Sequence, residues 1–246
     1  MIYKVTIPFT SDEGIKYTPI ASSLMHGLLM ETIDIRYADQ LHAQGLHPYS
    51  QFVDNIDGHN VWTLNLLDDE SYERIALPIT SLTSAHIRYK NDVIFFGRAA
   101  VTRLSYEELF FSNRTNNHSS DVLKMEFLTP TAFKSSGRYS ILPTLRQIIL
   151  SISKRFDSAF GIEFNDYTEL EEAVLRELTV SHFKLESTSF SVDGARIPSF
   201  KGSIEFRIKG EDNFRSYICM LGDFAQYSGV GIKTALGMGR VRTQKK

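Results

Sequence analysis

The residues best suited to chemistry lie near the C-terminal end of the 246-residue chain. From Ser228 to Arg240 the sequence reads SGVGIKTALGMGR. A glycine has no side chain to keep a ligand away, so its backbone N–H group can approach an anion closely, and nearby cations add attraction. The run therefore resembles a phosphate cradle. Its candidate anion-binding residues are Gly229, Gly231, Lys233, Gly237, Gly239 and Arg240.

Two familiar phosphate-binding motifs do not fit this run. A Walker A loop needs Gly-Lys-Ser/Thr at a spacing that is absent here, and a dinucleotide-binding loop follows a strand, whereas this run follows a predicted helix at Asn213–Tyr227. The alternative interpretation is structural. It is a helix C-cap followed by a bulged strand.

Charge is unevenly divided along the chain. The net charge is −2, which excludes a uniformly basic nucleic-acid-binding protein. Residues 1–122 carry 9 basic and 15 acidic side chains, whereas residues 123–246 carry 18 and 14. Residues 127–156 and the tail from Lys233 each contain five cations and no acid. Such patches attract polyanions, although a solvated basic face explains each of them equally well.

Composition and cysteine content narrow the class of protein. With 42% hydrophobic and 23% charged residues, the chain is typical of a globular protein rather than a disordered one. The single cysteine, Cys219, excludes an internal disulfide and is expected to be a small buried side chain. No segment has the length and apolarity of a membrane span, and residues 1–9 lack the pattern of a signal peptide. We expect a cytoplasmic protein with no membrane association.

The elements that would position these residues follow a similar order in both halves. Strands alternate with helices as βαββαβ, which predicts an α+β fold of tandem ferredoxin-like (RRM-like) domains. The polar residues 113–121 are the predicted linker between an N-terminal domain, residues 1–112, and a C-terminal domain, residues 122–246.

Periodicity predicts the individual elements. In the first half they are a strand at Ile2–Phe9, a helix at Thr18–Ile33 with Ile20, Leu24 and Leu28 on its apolar face, a loop at Asp39–Asp57, a strand at Val61–Leu67, a helix at Asp69–Ile79 and a hairpin of Ala85–Lys90 with Val93–Thr102. In the second half they are a strand at Val122–Phe127, helices at Leu142–Phe156 and Glu169–Leu178, a strand pair of Phe183–Val192 and Ser203–Lys209 around Asp193-Gly194, the helix at Asn213–Tyr227 and a strand at Leu236–Arg242.

The glycine-rich run is similar to the terminal loop of the RAMP superfamily, and in particular of its CRISPR-associated repeat endoribonucleases, the Cas-six family. Three other segments fit this family and follow in the right order. They are LMHGLLM at 24–30 with Leu41-His42 and Pro48-Tyr49-Ser50 after it, FLTPTAFK at 127–134 with Pro143 beyond, and RIPSFKG at 196–202. The resemblance covers essentially the whole chain and is closest to members that serve type III-A (Csm) systems.

The resemblance implies a metal-independent endoribonuclease that cuts CRISPR precursor RNA within each repeat and so generates crRNA. In that reaction the 2′-OH beside the scissile phosphate attacks the phosphorus and leaves a 2′,3′-cyclic phosphate and a 5′-OH. One proton must leave the 2′-OH, another must reach the 5′ oxygen, and the phosphorane charge must be stabilised. Histidine suits both proton transfers because its pKa is about 6.5. Neither a metal nor another cofactor is implied.

The resemblance also selects among the seven histidines. His42 stands where the family's catalytic histidine is found, so it is assigned as general acid or base. His26, on the first predicted helix, is the second candidate. His47, in the loop that follows His42, is a third residue placed to assist.

This chain departs from the family at two positions. Some members carry a tyrosine on the first helix and a lysine after the histidine, whereas this chain has Met30 at the tyrosine position and no lysine between Lys16 and Lys90. The transition-state charge would then be met by Tyr49, by a second histidine or by Lys134.

RNA contacts are assigned to the basic second half. Lys134 and Arg138 frame a turn, and Arg196 and Lys201 lie on or next to a predicted hairpin. Such scattered cations suit an RNA duplex, which proteins recognise mainly by shape and backbone. The implied partner is CRISPR repeat RNA, both precursor and processed.

Other properties stay open in the sequence. The resemblance to type III members implies transient association with a type III effector complex, and the oligomeric state is either monomer or homodimer. The alternative function is a non-catalytic RNA-binding RAMP subunit of a CRISPR effector complex. A third interpretation, an unrelated tandem ferredoxin-like metabolic protein, leaves the four matched segments as coincidence.

Overall fold

The computed structural model forms two compact units, which are treated separately below. It describes residues 1–111, 121–162, 166–192 and 194–246. Unit 1 comprises Met1–Leu104 with Ala235–Gly237, and unit 2 comprises Ser105–Thr234 with Met238–Lys246. The predicted linker at 113–121 lies outside the described residues except for Asp121, so the predicted domain boundaries stay a prediction.

Unit 1 contains an antiparallel sheet in the order β2-β3-β1-β5-β4, and β6 pairs with the beginning of β1. The first strand is thus flanked by β3 on one side and by the later strands on the other, as in a ferredoxin-like domain. The elements of unit 1 are β1 (Ile2–Ser11), α1 (Ser22–Thr32), α2 (Ile35–Ala43), β2 (Tyr49–Ile56), β3 (His59–Leu66), α3 (Asp69–Ser71), α4 (Leu77–Thr80), β4 (Ser84–Ile87), β5 (Asp92–Phe96) and β6 (Ala100–Leu104).

The first predicted helix is confirmed, and Leu24 and Leu28 of its predicted apolar face pack against the core, but Ile20 does not. Residues Pro19–Ala21 form a 3-10 turn before α1, and this tighter turn takes Ile20 out of register with the helix. Ile20 is therefore 72% exposed, whereas Met25 and Leu29 are fully buried.

The predicted loop at Asp39–Asp57 is also wrong, because it contains most of α2 and all of β2. Helix α2 begins at a cap, since the Asp34 carboxylate accepts hydrogen bonds from the backbone N–H groups of Arg36 and Tyr37. Strand β2 does not alternate between buried and exposed residues, since its polar residues Ser50 and Gln51 are buried together with their apolar neighbours. It therefore lacks the alternating pattern by which a strand is recognised in a sequence. The glycine and proline residues that suggested a loop lie between the two elements.

The predicted hairpin in unit 1 is confirmed in part. Strand β4 pairs with β5 as expected. The predicted strand Val93–Thr102 is two strands, β5 and β6, which pair with successive stretches of the ten-residue β1. At the break, the N–H of Gly97 donates to the carbonyl of Pro8 at 2.8 Å.

Unit 2 contains an antiparallel sheet in the order β10-β11-β7-β12, which is again the ferredoxin-like order, and a separate hairpin of β8 and β9. Helices α6 and α8 pack together, and Cys219 of α8 is buried as predicted. The elements of unit 2 are α5 (Tyr106–Phe111), β7 (Val122–Thr131), β8 (Phe133–Ser135), β9 (Arg138–Ser140), α6 (Leu145–Phe160), α7 (Thr168–Glu177), β10 (Leu178–Val192), β11 (Ala195–Ile208), α8 (Asp212–Ser228) and β12 (Val241–Lys245).

Two predicted strands of unit 2 have different bounds in the structure. The hairpin of β10 and β11 is longer than predicted, because Ala195–Phe200 continues the pairing; Asp193 of its turn lies outside the described residues. The predicted strand Leu236–Arg242 is wrong in its first part. Residues Thr234–Leu236 form a 3-10 turn, and the strand begins only at Val241, where pairing with Phe127 of β7 starts.

Candidate active site and RNA-binding surface

Unit 1 brings His26 and Tyr49 together. Helix α1 packs against β2, and this packing sets the Tyr49 hydroxyl 3.1 Å from Nδ1 of His26. The two rings are nearly parallel, with an interplanar angle of 17° and centroids 6.4 Å apart. Tyr49 is the first residue of β2 and is fully buried, whereas His26 is partly exposed. The buried tyrosine therefore fixes an imidazole that reaches the surface.

Burial also sets the chemistry of this hydrogen bond. Removal from water raises the pKa of the Tyr49 hydroxyl well above its ordinary value, with a smaller contribution from Tyr37, so Tyr49 stays protonated. A protonated hydroxyl can donate to Nδ1 of neutral His26 or accept from Nδ1–H of the imidazolium. The pair is thus compatible with proton transfer at the other ring nitrogen of His26.

The other two histidines of the predicted site, His42 and His47, lie between His26 and Tyr49 in the sequence. The His47 ring lies next to the Tyr49 ring, tilted by 59° with the centroids 5.6 Å apart. His42 occupies the last turn of α2, where Tyr37 and Leu41 form the buried face and the His42 side chain is exposed. The structure therefore joins His26, Tyr49 and His47 and places His42 on an exposed helix end.

A buried glutamine supports the same elements and was missed in the sequence. The side-chain amide of Gln51 donates to the carbonyl of Ser22 at 2.7 Å and to the carbonyl of Ala235 at 2.9 Å. Its oxygen accepts from Nε1 of Trp62 at 2.9 Å. Gln51 thus ties β2 to the start of α1 and to the segment Ala235–Gly237. No signal in the sequence pointed to Gln51, because its strand was predicted to be a loop.

Several backbone N–H groups of the glycine-rich run form hydrogen bonds within unit 2. The N–H of Gly229 donates to Ala225 at 2.9 Å, and the N–H of Gly239 donates to Pro130 at 3.0 Å. The N–H of Arg240 donates to Oγ1 of Thr129 at 2.9 Å. These donors face the protein and are not presented to a ligand. This arrangement follows the structural alternative, a helix C-cap followed by a strand, and an RNA-binding role for the glycines stays a prediction.

Helix α6 holds both backbone groups of Gly231. Oγ of Ser151 accepts from the Gly231 N–H at 2.8 Å, and one turn later Nη2 of Arg155 donates to the Gly231 carbonyl at 3.2 Å. Arg155 is 5% exposed, and burial lowers the pKa of its guanidinium to about 10. Within the described ranges its Nε and Nη1 have no hydrogen-bond partner. The buried guanidinium of Arg155 thus holds the glycine-rich run at Gly231.

Many cations of the two basic segments are already engaged. In the tail, Arg242 pairs with Glu126 and Lys245 with Asp223, each at 2.6 Å, and Lys246 also pairs with Glu205. In residues 127–156, Arg146 pairs with Glu171 at 2.6 Å. Lys134, Arg138 and Lys233 are exposed. These three are therefore better placed to bind an anion than the paired cations are.

Arg196 and Lys201 both lie on β11 of the long hairpin. Arg196 is exposed and donates from Nε to Oγ of Ser189 on the paired strand at 2.8 Å. Lys201 is half-buried and stands opposite Glu186. Arg196 is thus held in place near the hairpin turn.

In the described part of the chain, no helix is long and apolar enough to cross a membrane. No group of three or more His, Cys, Asp or Glu side chains there forms a candidate metal site.

The fold, with a ferredoxin-like strand order in each unit, is similar to that of a solved RAMP protein, which is 12% identical with a TM-score of 0.64 and coverage of 99% of this chain and 100% of that one. Residues 125–241 match the family model described as CRISPR-associated endoribonuclease Cas6. The chain belongs to this family, as its relatives show, and it is an endoribonuclease.

Relatives carrying that description match most of the chain. The protein of Streptococcus thermophilus is 31% identical over 232 residues, which are 90% of each chain. That of Mycobacterium tuberculosis is 33% identical over 229 residues, which are 89% of this chain and 70% of the relative. A solved Cas6 product complex is 22% identical with a TM-score of 0.81, and the match covers 99% of this chain and 100% of that one. This likeness shows the shared fold.

Proposed function

We propose that the protein cleaves CRISPR precursor RNA within each repeat, without a metal ion, by attack of a 2′-OH on the neighbouring phosphate. The observation that carries the proposal is the His26–Tyr49 pair, a fixed imidazole in a chain of the Cas6 family. The relatives are named as endoribonucleases, which favours this function over a non-catalytic RAMP subunit.

The reaction needs two proton transfers. A base accepts the 2′-OH proton as the 2′ oxygen bonds to phosphorus, and the P–O5′ bond then breaks as an acid donates a proton to the leaving oxygen. The products are a 2′,3′-cyclic phosphate and a 5′-OH. Base and acid exchange protonation states during the cut, so each must be able to hold and release a proton near neutral pH.

His42 and His26 are the residues proposed for these transfers. His42 is exposed and can reach a bound RNA directly. His26 has Nδ1 fixed by the Tyr49 hydroxyl, and its imidazole can exchange a proton. Because Tyr49 is fully buried, we assign it as a positioning residue that acts through His26 rather than as a direct contact of the phosphorane. His47, beside Tyr49, is assigned a supporting role in the same cluster.

RNA binding is proposed for the cations of unit 2. Lys134, Arg138, Lys233 and Arg196 are exposed, and each can neutralise a phosphate. Arg240 and Lys201 are only partly exposed, and the glycines of the run act here by shaping the backbone that carries Lys233.

The finer expectations from the sequence belong to the same proposal. They are service in a type III-A (Csm) system, transient association with a type III effector complex, a monomer or homodimer, and a cytoplasmic location. The motif resemblance supports the type III assignment, and size-exclusion chromatography with light scattering would decide the oligomeric state.

The test is cleavage of a labelled repeat RNA in EDTA. Wild type is compared with His42→Ala, with His26→Ala and with His86→Ala, the last being a matched control because His86 is exposed on β4 of the same unit. A substrate with hydrogen in place of the 2′-OH at the cut site tests the nucleophile. We expect wild type and His86→Ala to cut the unmodified RNA to a cyclic phosphate, and His42→Ala to lose cleavage.

Other results would contradict specific parts of the proposal. Cleavage of the deoxy substrate would exclude 2′-OH attack, and a requirement for Mg²⁺ would contradict metal independence. Cleavage that survives His42→Ala but not His26→Ala would move the main role to His26. Wild type that binds the repeat RNA but does not cleave it would favour the alternative function, a non-catalytic RNA-binding subunit.

A further inference from the structure

The hairpin of β8 and β9 is a small rigid element of unit 2 that the fold does not need for its main sheet. Its two central turn residues, Ser136 and Gly137, both have positive φ, at 49° and 77°. This is the pattern of a type I′ turn, the tightest connection that matches the twist of paired strands. The side chains on the two strands are therefore held in a fixed relation.

One face of the hairpin is anchored in the protein. Phe133 is 6% exposed, and its ring lies 6.2 Å from that of Phe200 at an angle of 21°. Successive residues of a strand alternate between faces, so Lys134 must lie on the opposite, outer face. Tyr139 stands directly opposite Lys134 in the register and shares that outer face.

The outer face carries an aromatic ring under a cation. Nζ of Lys134 lies 5.7 Å from the centroid of the Tyr139 ring, and the tyrosine remains 40% exposed. The chain that follows extends the apolar surface, since Ile141 and Leu142 are 45% and 74% exposed. Oγ of Ser140 donates to the carbonyl of Leu142 at 2.9 Å and fixes this turn.

A rigid exposed aromatic ring flanked by cations matches the chemistry of a single-stranded nucleotide. The base stacks on the ring and the phosphate meets the ammonium. The segment is free of acids, since residues 127–156 contain five cations and no carboxylate. Bases inside an RNA duplex are already stacked on one another, so only an unpaired base can use such a ring.

We propose that Tyr139 is a stacking platform for one unpaired nucleotide of the bound RNA, with Lys134 on the adjacent phosphate. The inference deepens the proposed function, because it rests on RNA as the ligand. It adds a binding residue that recognises a base rather than the backbone.

The test compares Tyr139→Leu with Tyr139→Phe. Fluorescence anisotropy measures binding of two RNAs, a repeat RNA and a single-stranded uridine oligonucleotide. We expect Tyr139→Leu to weaken binding roughly 5- to 100-fold, because stacking of one base contributes about that factor, and Tyr139→Phe to stay within about twofold of wild type. Tyr89→Leu is the matched control, since Tyr89 is 87% exposed in unit 1 and is expected to bind like wild type.

Salt dependence separates stacking from charge. Tyr139→Leu should leave the slope of log K against log salt unchanged, whereas Lys134→Gln should reduce it by about one phosphate contact. A 5-iodouridine RNA should crosslink to Tyr139, as peptide mapping would show. Circular dichroism of each variant verifies the fold.

Failure of the platform and failure of the proposed function give different results. Equal binding by wild type and Tyr139→Leu, or equal losses in the Leu and Phe variants, would overturn the stacking platform while cleavage by wild type still stands. Loss of binding in Tyr139→Leu together with no cleavage of any repeat by wild type would support the platform and overturn the nuclease proposal alone.

Discussion

Gly239→Ala should destabilise the protein far more than an ordinary glycine substitution. Gly239 has a φ of 70°, and an added Cβ would lie 2.0 Å from the backbone carbonyl oxygen of Val230. That oxygen belongs to buried backbone and cannot swing away as a side chain would. The two chain segments must therefore separate by more than about 1 Å, since ordinary contacts are 3.5–4.0 Å.

The separation breaks identifiable hydrogen bonds. The Val230 N–H donates to the Gly239 carbonyl at 2.8 Å, and the Gly239 N–H donates to Pro130 at 3.0 Å. Leaving buried partners unpaired costs about 1–3 kcal/mol each, and the left-handed conformation adds about 1 kcal/mol for alanine. We expect a total loss of about 3–7 kcal/mol, which lowers the Tm by roughly 10–20 °C for a chain of this size.

Gly161→Ala is the matched control for this prediction. Gly161 has nearly the same φ, 64°, but no atom lies within 4 Å of a Cβ built there. It should lose only about 1 kcal/mol, the conformational part of the cost. Thermal and urea unfolding followed by circular dichroism measure both variants. Equal losses in the two variants would refute the argument that the close approach to Val230 dominates.

Three further predictions follow from the buried polar groups. Tyr49→Phe should lower the unfolding free energy by about 1 kcal/mol. It should slow single-turnover cleavage without changing RNA affinity, and it should shift the pH–rate profile because His26 loses its hydrogen-bond partner. An unchanged pH–rate profile contradicts the positioning role. Gln51→Leu should cost about 2–4 kcal/mol in urea unfolding because three buried partners lose their hydrogen bonds, and a loss below about 1 kcal/mol contradicts this. Arg155→Met should have an unfolding free energy within about 1 kcal/mol of wild type or above it, because it removes a buried charge, yet it should weaken RNA binding by releasing Gly231. Above pH about 10 the folded state loses the Arg155 proton before the unfolded state does, so the unfolding free energy of wild type should increase with pH relative to that of the variant. A difference that does not change with pH contradicts this.

The sequence determined the fold class through periodicity and indicated the family through the resemblance of four segments. Alternation in residues 122–127 predicted β7, and the spacing of apolar residues in 213–227 predicted α8, because the buried face of a regular element repeats in the sequence. The repeated βαββαβ order then led to tandem ferredoxin-like units. The glycine-rich run and the segments LMHGLLM, FLTPTAFK and RIPSFKG led to the Cas6 family, which the relatives confirm.

The tertiary structure alone decided how the polar groups are used. The hydroxyl of Tyr49 meets His26 across 23 positions, and the amide of Gln51 meets Ala235 across 184. In the glycine-rich run, the N–H groups of Gly229 and Gly239 donate to the carbonyls of Ala225 and Pro130, acceptors that the sequence did not indicate. Hydrophobic periodicity specifies which side of an element is buried, but the partner of each buried polar group depends on which elements pack together.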